Sequence, residues 1–187
     1  MKIGIIVGSI RTGRSAESVG AWVKSVADAR GDENVEYEIL DLKSFDLPLL
    51  TAEILPFMAN KQYEDPRVQA WGDAVDACDA FVFISPECNH GVPGALKNAV
   101  DSLGAEWMGK PVGIVSYGAE GGVRAVEQWR TILANFSMFV VRSQVSMSIF
   151  TEFGEQGLAP AENRAGQLEG LLDEVLAAAR KNALVHA

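Results

Sequence analysis

The stretch Gly8-Ser9-Ile10-Arg11-Thr12-Gly13-Arg14-Ser15 decides how this chain is read. It follows a short hydrophobic run, Lys2 to Val7, and leads into residues whose apolar members recur at helical spacing: Val19, Trp22, Val23, Val26 and Ala27. The continuous apolar run has the look of a central parallel strand buried on both faces, and the spacing predicts a helix over 16–29. Between them lies a glycine- and hydroxyl-rich turn whose backbone N–H groups face outward at the positive end of a helix dipole. That geometry suits a phosphate dianion. Arg11 and Arg14 add cationic donors, and Ser9 and Ser15 add hydroxyls. The competing reading is an ordinary strand-to-helix connection with Ser15 as N-cap and two solvated arginines.

The same alternation of strand and helix continues along the chain. Residues 35–40 alternate (Val35, Tyr37, Ile39) as a half-buried strand, and 67–77 carry Val68, Trp71, Ala74 and Val75 on one helical face. A wholly apolar strand over 80–84 comes next, then a helix opened by Pro93 at its first turn and running to Leu103. A strand over 112–115, a helix over 124–135, a strand over 139–145 and a helix over 164–182 complete the pattern. The strand over 139–145 contains Arg142 and Ser143, which predicts an edge position. Units of strand and helix in series predict a parallel sheet with helices on both faces and right-handed crossovers. The expectation is one α/β domain over 1–187: a three-layer, flavodoxin-like doubly wound fold with a five-stranded parallel sheet of order 2-1-3-4-5 and its switch point between strands one and three.

The bulk properties narrow the partners. The chain has 187 residues, of which 48% are hydrophobic and 22% charged, with a formal net charge of −9. Such acidity argues against a nucleic acid or an anionic membrane as partner, and any bound anion must be held by local donors. Two cysteines without a CxxC pair, and two histidines, give no metal-binding spacing. The short apolar N-terminal strand reads as too short for a signal-peptide core, and no run approaches a membrane span, so a cytoplasmic protein is expected. One connection stands out. Leu42–Pro66 carries Phe45, Leu47, Leu49, Leu50, Ile54, Leu55 and Phe57, broken by Pro48 and Pro56. Its apolar residues are expected to be covered by a second subunit or by substrate, the alternative being a satellite cluster on their own domain.

In an open parallel sheet, ligands gather beyond the carboxyl ends of the strands at the switch point. That rule selects three segments: Gly8–Ser15, Ser85–Gly94 and Ser116–Gly122. All are rich in glycine, proline and small polar residues, as close approach of backbone to a ligand requires. The first lies one residue from the nucleotide-binding pattern G-x-x-x-x-G-K-[ST], with Arg14 in place of the lysine. Arginine's planar fork is a poor substitute there, and strand three ends in Ser85-Pro86-Glu87 without the magnesium-binding aspartate, so a nucleotide kinase is disfavoured. The dinucleotide pattern G-x-G-x-x-G is absent. A flavodoxin-like electron carrier remains as a rival, its acidity in favour and its arginine-bearing phosphate turn against.

Gly8–Ser15 leading to Trp22, Pro86-Glu-Cys-Asn89, Pro93-Gly-Ala-Leu-Lys-Asn-Ala-Val-Asp101, Gly109-Lys-Pro111, and Ser116-Tyr-Gly followed by Gly121-Gly122 together resemble the NADPH-dependent FMN reductase family, over roughly residues 2–150. The resemblance implies an oxidoreductase that uses FMN and takes hydride from NADPH or NADH. The acceptor would be a small molecule such as a quinone, a free flavin, an azo compound or a metal oxyanion. Ser9, Arg11 and Ser15 would hold the FMN phosphate, with Gly13, Arg14 and Ala16 in the same cradle. Pro86, Glu87, Cys88 and Asn89 would line the isoalloxazine and ribityl side, and Ser116, Tyr117 and Gly118 would border the ring's other edge. Cys88 stands where the family usually has tyrosine. No side chain is expected to be catalytic, because the chemistry is the flavin's, and no metal is expected. Glu87 is expected to contribute through its main chain, Gly121 and Gly122 through backbone conformation. A homodimer or homotetramer is expected from Leu42–Pro66.

Overall fold

The computed structural model describes every residue except Gln156 and Ala187. Strands β1 (Lys2–Val7), β2 (Glu36–Asp41), β3 (Ala80–Pro86), β4 (Pro111–Gly118) and β5 (Phe139–Ser148) form one sheet in the order β2-β1-β3-β4-β5, every pair parallel. Helix α1 (Ala16–Ala29) follows β1, and a one-turn helix α2 (Leu42–Phe45) follows β2. Helices α3 (Pro66–Asp76), α4 (Gly94–Asp101), α5 (Val123–Ala134) and α6 (Arg164–His186) complete the layers, with a two-stranded hairpin β6 (Phe153–Gly154) and β7 (Gly157–Leu158) before α6. The fold is the doubly wound flavodoxin-like arrangement, with β5 at an edge.

The central strands β1, β3 and β4 are buried on both faces, which is why they read as nearly unbroken apolar runs, whereas the edge strands β2 and β5 are only partly covered. On one face Ile3, Ile5, Val82, Ile84, Val115 and Val145 pack against Val19 and Val23 of α1 and Leu171, Leu172 and Val175 of α6. On the other, Ile6, Phe81, Phe83 and Ile114 meet Trp71, Leu96 and Trp129 of α3, α4 and α5. Tryptophan N–H groups enter this core only with partners: Trp71 donates to Ala99 O at 2.9 Å, and Trp129 to Ser85 Oγ at 2.8 Å.

Boundaries differ from the sequence reading where turn-forming residues continue a strand. Ser85 and Pro86 belong to β3, and Ser116, Tyr117 and Gly118 to β4. Pro93 is the N-cap of α4 and not its first residue, and α4 stops at Asp101. The Leu42–Pro66 connection divides between the two expectations. Phe45 and Leu47 pack on the α3/α4/α5 core, and Phe57 stacks on Phe136 with ring centroids 5.4 Å apart. Leu49 and Met58, by contrast, are 77% and 69% exposed. No helix among the described residues is long and apolar enough to cross a membrane.

Candidate functional site

The carboxyl ends of β1, β3 and β4 bring the three segments to one edge. At the first, Gly8 donates to Ile84 O at 3.0 Å, so the chain leaves β1 tight against β3. A Cβ on Gly8 would meet Ile84 O and Leu96 Cδ2 at 2.7 Å, which only glycine avoids. From Ser9 to Ser18 no backbone N–H donates to another described group; the first amide with a partner is Val19, bonded to Ser15 O at 3.1 Å. Helices α2 and α3 are capped by the side chains of Asp41 and Asp65, whereas Ser15 has helical dihedrals and makes no capping bond. A run of unpaired amides at an uncapped helix N-terminus is what an anion requires. Gly13 turns the chain at φ +67° with open space around it, and Ala16 is buried at the start of α1. Arg11 is exposed and pairs with no described carboxylate, while the Ser9 side chain is buried.

Arg14 is already paired within the protein. Its NH1 and NH2 fork onto the Asp41 carboxylate at 2.8 and 2.5 Å, and NH1 also reaches Ser9 O at 2.7 Å. The side chain is 5% exposed and faces the end of β2. Asp41 was not singled out from sequence; the order β2-β1-β3, which sets the end of β2 beside the turn, was the available signal.

The second segment is a small hairpin. Cys88 and Gly91 exchange both backbone hydrogen bonds at 2.9 Å, and Asn89 and His90 between them have φ of +49° and +63°, the paired left-handed conformation of a type I′ turn. Cys88, Asn89 and His90 are exposed, and Pro86 lies at the strand end. Helix α5 pins this hairpin. Gln128 donates to His90 O at 2.8 Å, and the Glu87 carboxylate accepts from Arg124 N at 3.0 Å and Arg124 NH1 at 2.9 Å. Glu87 therefore caps α5 with a side chain only 7% exposed, and Glu87 N donates to Tyr117 O at 3.0 Å.

In the third segment Ser116 is fully buried and donates its hydroxyl to Gly121 O at 2.7 Å, so it shapes the loop from beneath. Gly121 and Gly122 have φ of +71° and +77°. A Cβ on Gly122 would lie 2.9 Å from Ser116 Cβ, and one on Gly118 3.2 Å from Glu87 Cβ. Gly118 lets the second and third loops touch, while Gly122 folds the third loop onto its own Ser116 and Gly121 sets it against Ser146 of β5. Tyr117 stands where the segments converge. Burial pushes its phenol up to about 12, and Cys88 adds to the rise, while the nearby Ser9 hydroxyl and the charges of Arg11 and Arg14 oppose it. Its ring packs on Phe153 with centroids 5.6 Å apart.

A turn of free amides with an arginine that pairs with no described carboxylate at the switch point, beside two loops fixed at close backbone contact, defines a flavodoxin-like protein whose carboxyl edge has the donors that suit a phosphate-bearing ligand. Comparison with known proteins narrows this class. Residues 1–152 match the family described as NADPH-dependent FMN reductase, and the chain belongs to that family. It is 36% identical over 148 residues to the NAD(P)H-dependent FMN reductase LOT6 of Saccharomyces cerevisiae, covering 75% of this chain and 78% of that one. A quinone reductase of Escherichia coli is 29% identical over 147 residues, 75% and 73% of the two chains. Among solved structures, the flavoenzyme NAD(P)H:(acceptor) oxidoreductase FerB of Paracoccus denitrificans aligns over 96% of this chain and 97% of its own, with a TM-score of 0.74 at 21% identity. A Megasphaera elsdenii flavodoxin aligns over 95% and 98% with a TM-score of 0.57 at 13% identity; both likenesses concern the fold. The donor set fits the FMN of the family's name: free amides and Arg11 suit its phosphate, and a backbone-lined edge suits its flat ring.

Proposed function

We propose that this chain is an FMN-dependent NAD(P)H oxidoreductase that reduces a small acceptor such as a quinone, a free flavin, an azo compound or a metal oxyanion. The observation that carries the reading is the unpaired amide run from Ser9 to Ser18 with Arg11 beside it, in a protein whose net charge of −9 would otherwise repel a dianion. These amides and Arg11 bind the phosphate, with the Ser9 and Ser15 hydroxyls alongside. FMN held there would supply the two-electron redox chemistry between a nicotinamide and the acceptor. The hairpin at Cys88–Gly91 and the glycine-bearing third loop form the walls for the ring. Free amides at Ala119 and Glu120 can stabilise negative charge that develops against that loop. The Tyr117 phenol, with its pKa held well above neutrality, stays protonated throughout the working pH range.

Purified protein is expected to be yellow, or to become so with FMN, and its absorption to bleach on addition of NADPH. Calorimetry should give an FMN affinity that Arg11→Ala weakens by about 1–3 kcal/mol, the scale of a charged hydrogen bond. Folded protein that takes up no FMN overturns the reading. We propose further that the exposed residues Leu49, Ile54, Leu55 and Met58 are covered by a second copy of the chain, in a homodimer or a homotetramer. Sedimentation as a monomer at micromolar concentration would remove that part alone.

A further inference from the structure

Arg14 belongs to the anion-facing turn, yet its guanidinium is buried and already spent. Asp41 takes both ends of the fork and neutralises its charge, and Nε is buried without a partner. Among the described residues, the hydrogen bonds of this side chain all go to the Asp41 carboxylate and Ser9 O. The Ser9 contact sets the turn. In a planar trans peptide the C=O and the following N–H point in opposite directions. Holding Ser9 O on Arg14 at 2.7 Å thus aims Ile10 N–H the other way, away from the guanidinium. Asp41 is fixed in its turn by its own neighbour, Oδ1 accepting from Lys43 N at 3.0 Å to cap α2. Among the described residues, one further carboxylate pairs with Arg14, the exposed Glu17 at 3.7 Å from NH2.

We propose that Arg14 and Asp41 form a latch that holds the Ser9–Ser18 turn in its anion-binding shape, so that Arg14 is a positioning residue and does not bind phosphate. The role rests on the FMN reading given above. It makes a counterintuitive demand: an aspartate beside a phosphate site strengthens binding of the phosphate, because ordering the amides beforehand outweighs the added negative charge. If Arg14 were instead a direct ligand, Asp41 would compete for it, and removing the carboxylate's charge would release the arginine and tighten binding.

The sign of the Asp41→Asn effect separates the two. Asparagine keeps the shape and the capping of α2 but loses the charged fork, so the variant is expected to fold. Calorimetry is run with FMN and with riboflavin, which lacks the phosphate. A latch predicts that Asp41→Asn and Arg14→Lys each weaken FMN about tenfold, since lysine keeps the charge but not the fork, while riboflavin affinity stays within about twofold. A general loss of structure would weaken both flavins alike. Tighter or unchanged FMN binding in Asp41→Asn, or full affinity in Arg14→Lys, overturns the latch.

A second measurement needs no flavin. Trypsin cuts after arginine, and buried Arg14 lies close to exposed Arg11 in the same turn. Asp41→Asn should raise the initial rates of cleavage after Arg11 and Arg14, relative to cleavage after Arg67 in α3, by about tenfold if the latch sets the local opening of the turn. An unchanged ratio overturns it. Should the wild-type protein bind neither flavin, the proposed function falls, and the tryptic ratio still decides the latch.

Discussion

Glu87 has the residue type and the location of a catalytic acid, and replacing it with glutamine tests whether it is one. Its carboxylate makes two bonds, to Arg124 N at 3.0 Å and to Arg124 NH1 at 2.9 Å. The first caps α5, worth about 1 kcal/mol for a charged acceptor at a helix N-terminus. The second joins Glu87 to a guanidinium that is 41% exposed, so screening reduces it to about 0.5 kcal/mol. Glutamine keeps one acceptor and turns a donor toward the other partner, so Glu87→Gln should cost about 1 kcal/mol and Glu87→Ala about 2 kcal/mol. For a domain of this size that corresponds to a fall in Tm of about 2–4 °C and about 4–8 °C. With Arg124→Ala already in place, Glu87→Gln should cost less, because only the amide bond is left to lose. NADPH-driven quinone reduction by FMN-saturated Glu87→Gln should retain kcat within about threefold, whereas loss of a general acid costs about 10²–10⁴. A variant with wild-type Tm and a hundredfold lower kcat would refute the clamp and make Glu87 an acid.

Gly122→Ala should destabilise the protein by about 2–4 kcal/mol in urea unfolding, combining the cost of a side chain at φ +77° with a Cβ 2.9 Å from Ser116 Cβ; a change below about 0.5 kcal/mol would show that the third loop relaxes freely. Glu152, nearly buried, resists ionisation through burial, but bonds from Arg164 and from the Ala161 and Ser148 amides outweigh this and lower its pKa from 4.5. A lowered folded-state pKa gives stability that is present above about 4.5 and lost as the pH falls through the folded value. Glu152→Gln should therefore flatten the acid limb of stability against pH measured by urea midpoints, and an unchanged limb would count against the clamp.

Much of the scaffold was legible because both faces of the sheet are covered. Ile3–Val7 and Ala80–Ile84 read as strands from apolar content alone, and α1 ends at Ala29 as its spacing predicts. The anion-facing turn was legible for a related reason: a strand, a glycine-bearing turn and a helix in direct succession fix where the amides lie. Side-chain partners were less so, because pairing depends on which strands become neighbours. Arg11 and Arg14 look equivalent in the sequence, and only the placement of β2 beside β1 separates the exposed cation from the one paired with Asp41. Ser116 was hard to read for a different reason. A strand buried on both faces gives no alternation to say which way a hydroxyl points, so its bond to Gly121 O from below had no signal in the sequence. Leu42–Pro66 was split because Phe45 and Leu47 reach the core while Leu49 and Met58 do not, a distinction its proline-broken pattern does not encode.

The arginines at the carboxyl edge show how an acidic protein can present an anion site without a basic surface. Arg14 is neutralised by Asp41 and Arg124 by Glu87, and each pair fixes a loop. Arg11 alone at this edge is left without a described carboxylate partner, next to amides that carry only partial charge. Specificity then follows from geometry more than from net field, since partial charges on backbone groups act over the length of one helical turn while the distant carboxylates are screened beyond about 8–10 Å at physiological salt. Two cations paired within loops and one left without a described carboxylate partner favour a rigid cradle over a strong long-range pull. Such a cradle suits a cofactor that stays bound through many turnovers, because the affinity of an ordered site is maintained by slow release, and rapid electrostatic capture matters less.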